Sequence, residues 1–193
     1  MNLRPDLLLH PNIPMPLHGL NPRTLKGREW WDAKRQAAYA KNNYCCWACG
    51  VHKSEALYRH VLEAHEDYVI DYANGRMTIK EIVALCPACH GYIHSGRLEA
   101  MYLNGEIGVT KFVEILRRGT EILIDNDLPL NPFAKRIMSV YRMEPIMLHL
   151  QPALEIPETI VAWGDWRLVL DGVEYAPLWL NESEHVKHYG GLR

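Results

Sequence analysis

Changes in the spacing of apolar and polar positions divide the chain into elements. In residues 28–41, Trp30, Trp31, Ala37, Ala38 and Tyr39 are interleaved with Glu29, Asp32, Lys34, Arg35 and Gln36, with no intervening Pro or Gly. That pattern predicts a helix, with the tryptophans and alanines as its buried stripe. Residues 54–62 have no clear period and suit either a short helix or a strand. Residues 62–72 and 77–85, containing Tyr68, Val69, Ile70, Ile79, Ile82 and Val83, flank Ala73-Asn74-Gly75, and an Asn-Gly turn between such runs predicts a β-hairpin. Pro87 suits the first turn of a helix continuing over 88–102, and the apolar positions of 109–124 predict a second helix. Near the C-terminus, residues 166–170 and 173–178 bracket Asp171-Gly172, a second hairpin signal.

Prolines set the remaining boundaries. Pro5, Pro11, Pro14, Pro16 and Pro22 make residues 1–27 an extended arm placed by docking, and Pro129, Pro132, Pro145, Pro152 and Pro157 break the chain beyond Asp125 into short pieces. The expected organisation is an arm (1–27), a central module with flanking helices (28–125) and a β-rich C-terminal extension (126–193), in the α+β class. A chain of 193 residues with 48% apolar content can bury an ordinary core. No stretch approaches the ~18 apolar residues of a membrane helix, and Arg4 and Asp6 interrupt any signal-peptide pattern. A cytoplasmic protein that does not enter the membrane is the expectation.

The net charge of -2 conceals a gradient. Residues 1–53 carry 8 Lys/Arg against 3 Asp/Glu, residues 54–119 carry 7 against 9, and residues 120–193 carry 6 against 11. The basic third suits phosphate; the acidic third suits a protein partner, or covers a basic surface. Solvation of the surface alone explains the charges equally well.

Five cysteines in two clusters suit a metal in a reducing compartment better than a disulfide framework. Cys46-Trp47-Ala48-Cys49-Gly50 is a knuckle: two thiolates separated by two residues reach one ion, and the glycine permits the tight turn. Cys86-Pro87-Ala88-Cys89 repeats the spacing at a helix start, so a tetrahedral four-cysteine structural zinc is the leading assignment. Two alternatives stay open. Cys45 would replace Cys46, or Cys46, Cys49, His60 and His65 would form one site and Cys86, Cys89, His90 and His94 another. His90 and His94 stand one helical turn apart, where both imidazoles reach a single ion.

The text Leu62-Glu63-Ala64-His65, the turn at Asn74-Gly75, and Leu85-Cys86-Pro87-Ala88-Cys89-His90-Gly91-Tyr92-Ile93-His94 resembles the zinc-containing branch of the HNH (His-Me finger) endonucleases, over residues 44–97. The resemblance implies a ββα-metal module, a treble clef around the zinc, in which His65, His90 and His94 hold a second divalent ion (Mg2+, Mn2+, Ni2+ or Zn2+) for phosphodiester hydrolysis. It also implies nucleic acid as partner, DNA before RNA, and a phage or mobile-element setting. Glu66 stands where the family has its general-base histidine, and Glu81 where it has an asparagine. Glu66 then serves as base beside His65, or as a further ligand.

Two functions follow. One is a metal-dependent nuclease, with Arg97 or the cations of the N-terminal helix on phosphates. The other is a catalytically inactive interaction protein on the same scaffold. The two substituted glutamates, the acids Glu63, Glu66, Asp67, Asp71 and Glu81 gathered in one hairpin, and an acidic tail containing Trp163, Trp166, Tyr175 and Trp179 motivate this second function.

Overall fold

The computed structural model describes residues 3–9, 13–143 and 152–189. Pro11 and Pro145, two of the prolines read above as chain breaks, lie outside the described residues. In order, the elements are α1 (Pro22–Lys41), β1 (Glu63–Asp71), β2 (Arg76–Leu85), α2 (Pro87–Ile93), α3 (Ser95–Leu103), α4 (Val109–Asp125), α5 (Pro132–Val140), β3 (Arg167–Leu170), β4 (Val173–Tyr175) and α6 (Glu182–Tyr189). The architecture is mixed α+β with a four-stranded sheet in the order β1-β2-β3-β4. Strand β3 runs parallel to β2, with Met77 opposite Leu168, and pairs antiparallel with β4. Among the described residues no helix is long and apolar enough to cross a membrane.

The chain forms two compact units, each assembled from separated segments. One comprises residues 1–10, 37–65 and 83–155; the other comprises 11–36, 66–82 and 156–193. The first contains both metal-ligand clusters discussed below. Its core joins Leu7 and Leu8 to Trp47, Val83, Leu85, Tyr92, Phe112, Leu116 and Ile137. Tyr102 stacks on Phe112 at 4.5 Å between ring centroids, fastening α3 to α4. Asn131 is buried and holds two backbone segments at once. Its side-chain oxygen caps α5 by accepting from the amides of Phe133 and Ala134, while its Nδ2 donates to the Leu8 carbonyl at 3.0 Å. In the second unit Leu17, Leu20, Tyr68, Met77, Trp166 and Leu168 form a separate core.

Several expectations change here. The N-terminal arm is not simply extended. It carries 3-10 turns at Pro5–Leu9 and Met15–Leu17, and Leu7, Leu8, Leu17 and Leu20 are core residues. Helix α1 begins earlier than expected, kinks at Gly27 and buries Ala38, whereas Trp30 and Trp31 stay half-exposed and Ala37 is exposed. The single helix expected after Pro87 is broken at His94, whose ψ of 45° separates α2 from α3. The described part of the C-terminal extension is not β-rich: besides the expected hairpin of β3 and β4 it contains α5, short but amphipathic, and α6, whose eight residues have little periodicity. Residues 54–62 form neither a strand nor an α-helix, only a 3-10 turn at Lys53–Glu55.

The hairpin of β1 and β2 and the helix α4 match expectation closely. At the hairpin turn Gly75 takes φ of 63°, the left-handed region that glycine enters without strain. Helix α4 presents Phe112, Ile115, Leu116, Gly119 and Leu123 as one buried face, and α2 packs on it. Gly119 is required there by close approach: a Cβ at this position would overlap the ring of fully buried Tyr92. Gly91, on the facing helix, has ordinary room, with Ile115 at 3.5 Å from a Cβ built there. In urea denaturation, Gly119→Ala is therefore expected to lower stability by about 1–3 kcal/mol. Gly91→Ala, relieved of glycine's chain entropy in a helix, is expected to raise it by roughly 0.5–1 kcal/mol.

Candidate metal centres

The first cluster is built from a turn and a helix start. Cys46 to Gly50 fold back on themselves: the Gly50 amide donates to the Cys46 carbonyl at 2.9 Å, the Cys46 amide donates to Val51 at 2.8 Å, and Gly50 takes φ of 77°. The Trp47 amide donates to the Ala84 carbonyl at 2.8 Å, which ties the turn to the end of β2, immediately before Cys86. Cys86 precedes α2 in extended conformation, Pro87 occupies the first helical turn, and Cys89 lies within α2. The four ligand atoms of Cys46, Cys49, Cys86 and Cys89 lie within 4.8 Å of one another.

These distances suit a metal and not a disulfide. Cys49 and Cys86 have their sulfurs 3.8 Å apart, far beyond the ~2.05 Å of a disulfide bond. A tetrahedron with metal–sulfur bonds of ~2.3 Å has an edge of roughly 3.8 Å. The thiols also compete for protons. Hydrogen bonding from Cys46 lowers the pKa of Cys49 and of Cys86, while Cys46, through Cys49, and Cys89, through Cys46, are pushed above the usual thiol range. A divalent cation such as zinc would take the place of the protons over which these thiols compete. Cys45 is not part of the cluster; its Sγ faces the Asn43 carbonyl at 3.5 Å. His60 is exposed and outside both clusters, so the alternative site of two cysteines and two histidines does not form.

Arg118 of α4 is a partner that sequence reasoning missed. Burial acts to lower its pKa, but the Cys49 thiolate, seconded by Cys89 and Cys86, holds the guanidinium above its usual value. A tetrathiolate around a divalent ion carries two net negative charges, and Arg118 offsets part of that excess. Its sequence signal is faint: one arginine placed beside the buried stripe of an amphipathic helix.

The second cluster draws His65 from β1 and His90 and His94 from the α2 region, again with ligand atoms within 4.8 Å of one another. Ring centroids lie 5.4 Å apart for His65 and His90, 5.0 Å for His65 and His94, and 4.6 Å for His90 and His94. The helix break leaves His94 one turn beyond His90, with its amide still donating to the His90 carbonyl at 3.2 Å. Three imidazoles on one side form a neutral nitrogen set able to hold a divalent ion with coordination positions left open.

Glu63 orients this set. Its Oε2 lies 2.5 Å from His90 Nδ1, an arrangement that keeps the proton on Nδ1 and leaves Nε2 as the acceptor that a metal needs. Arg59 pairs with the other oxygen. The His90 hydrogen bond, aided by the charges of Arg59 and Arg97, holds the Glu63 carboxyl below the usual range despite its burial. Glu63 had stood only as one acid among five in the hairpin. The available signal was its i, i+2 relation to His65, which places both on one face of β1.

Glu66, the expected base, is the residue after His65 in β1, so strand alternation directs its side chain to the opposite face. Glu66 and Glu81 belong to the second compact unit and not to the histidine cluster.

A cavity of about 300 Å³ opens on His90 and His94. Arg59, Arg97 and Lys111 line it, and among the described residues Glu63 is its one carboxylate. Arg97 was an expected phosphate contact; Arg59 and Lys111 were not. No family model, curated protein or solved structure matches the chain.

Two outcomes test the centres. Elemental analysis should find zinc in the purified protein at the cysteine site. Cys86→Ser or a strong chelator should abolish its near-ultraviolet circular dichroism, because a structural zinc contributes roughly 10–16 kcal/mol of binding free energy at neutral pH against a typical domain stability of about 5–15 kcal/mol. At the histidine site, Glu63→Gln should weaken divalent-ion binding by roughly 10- to 100-fold in calorimetric titration.

Proposed function

We propose that the protein is a metal-dependent nucleic-acid hydrolase of the HNH type, its ββα-metal module organised around a zinc held by Cys46, Cys49, Cys86 and Cys89. The observation that carries this reading is the convergence of His65, His90 and His94, of which His90 and His94 line a cleft that also carries Arg59, Arg97 and Lys111. The resemblance in sequence spans the same residues. A divalent ion held by the three imidazoles would act as Lewis acid on the scissile phosphate.

The chain's own residues do the rest of the positioning. Glu63 fixes the tautomer and rotation of His90, and the buried environment of His65 excludes competing water from one side of the set. Arg97 and Lys111 line the cleft and form no salt bridge among the described residues, although the charge of Arg97 also acts on Glu63, so both cations could meet a phosphodiester. The hairpin acids that argued against polyanion binding do not line this cleft, apart from Glu63, whose charge His90 and Arg59 already engage.

One observation favours the second reading, a scaffold that binds without cutting. Glu66 replaces the family's imidazole base and leaves β1 on the face opposite His65. The aromatic tail offers that reading less than its sequence suggested, since Trp166 is core and Trp163 donates to the Trp179 carbonyl at 2.8 Å.

Incubation with plasmid, single-stranded DNA and RNA across magnesium, manganese, nickel and zinc separates the two. Cleavage is expected in at least one metal, with His90→Ala reduced to the level of a no-enzyme control. Retained binding with no cleavage above that control in any metal would establish the second reading.

A further inference from the structure

The cleft beside the histidines is lined by side chains of two chemical kinds. Arg97 and Lys111 supply charge, while Leu98, Met101 and Ile107 supply an apolar floor, with Leu98 and Ile107 almost fully buried. A phosphate rail needs only the first of these. Duplex nucleic acid keeps its bases stacked inside and offers sugars and phosphates to a protein surface, so a duplex would leave the floor unfilled. An unpaired nucleotide has an apolar face to lay on such a floor and a phosphate to place at the rim.

Tyr58 sharpens the point. It lines the same cleft in the left-handed region, with φ of 72°, a conformation that is costly for a bulky residue. Its side chain is held from two sides: the hydroxyl donates to Glu114 at 2.6 Å, and the Lys111 ammonium lies 4.7 Å from the ring centroid. The aromatic ring is thereby fixed at the cleft together with the cation, the pairing of π-face and positive charge used by proteins that bind unpaired strands. At about 300 Å³ the cavity stands at the small end of ligand pockets and suits one nucleotide.

We propose that this cleft is a subsite for a single unpaired nucleotide, its base on the Leu98, Met101 and Ile107 floor and its phosphate between Arg97, Lys111 and the histidine cluster. The substrate class of the site is therefore single-stranded nucleic acid, or the unpaired end of a duplex. This rests on the hydrolase reading for its chemistry, but not for its binding.

The test is fluorescence anisotropy of the full chain, zinc-loaded at the cysteines and without added divalent ion, so that hydrolysis plays no part. A labelled single strand is expected to bind at least roughly tenfold more tightly than the blunt hairpin duplex of the same sequence. Thymidine 5′-monophosphate should displace it at concentrations where inorganic phosphate does not. Met101→Glu, checked by circular dichroism for an unchanged fold, should weaken the single strand roughly tenfold. Lys111→Gln should reduce the salt dependence of binding.

Equal or tighter duplex binding, or displacement by inorganic phosphate as effective as by the nucleotide, would overturn the subsite, as would no binding at all. If Met101→Glu misfolds, the competition on the unmodified protein decides alone. Duplex-preferring binding combined with cleavage would sink the subsite and keep the hydrolase. Nucleotide-selective binding without cleavage in any metal would do the reverse.

Discussion

Four sulfurs drawn to within 4.8 Å of one another cannot all be thiolates unless a cation sits among them. Two unit charges ~4 Å apart repel by about 4 kcal/mol at the effective dielectric of a protein surface, and six such pairs are present in a four-thiolate cluster. A divalent ion among the sulfurs would relieve the repulsion and add four bonds. The first compact unit is organised by that requirement. The knuckle at Cys46 is hydrogen-bonded through Trp47 to Ala84 at the end of β2, and Cys86 begins α2 two residues later. A metal at the four cysteines would thus fix the start of α2, and with it the placement of His90 and His94. Tyr92, between those histidines in sequence, is clamped against Gly119 of α4, so the helix has little freedom to rotate about its axis.

What could be read from the sequence is what depends on near neighbours in it. A two-residue spacer between cysteines, an Asn-Gly pair and an i, i+4 pair of histidines each encode their geometry within a few residues, and the structure brings those groups together as expected. Other features depend on partners far along the chain. Leu7 and Leu8 lie in a proline-rich stretch with no period, and only their contact with the core around Leu85 and Phe112 makes them structural. Trp30 and Trp31 read as a buried stripe because they are large and apolar, yet α1 has too little apolar surface on that face to bury them, and Lys34 covers Trp30 instead. The break at His94 is equally invisible locally, since Ser95 and Gly96 weaken a helix without specifying where it ends.

The acidic residues of the hairpin show why a charge count along the sequence misleads. Asp71 caps the turn by accepting from the amides of Ala73 and Asn74, Asp67 lies 3.9 Å from Lys80, and Glu63 turns to His90. Each has a partner of its own, and none presents an unengaged negative charge to the cleft beside the histidines. Strand alternation does this sorting, because residues two apart share a face and residues one apart do not. The same rule that makes Glu63 a support for His90 separates Glu66 from His65, so a one-position difference decides which carboxylate assists the cluster.

The two clusters differ in the ion chemistry they could support. Four sulfurs surround an ion completely and leave it no position for a substrate, which is the arrangement of structural sites; three imidazoles leave positions open, which is the arrangement of reactive ones. Residues that fill every coordination position of an ion leave none for a further ligand, whereas three imidazoles would leave at least one. Placing Cys86, Cys89, His90 and His94 within nine consecutive residues lets one short segment serve both ends. The cysteines fix where the helix starts, and the helix delivers its imidazoles, already oriented, to the mouth of a cationic cleft.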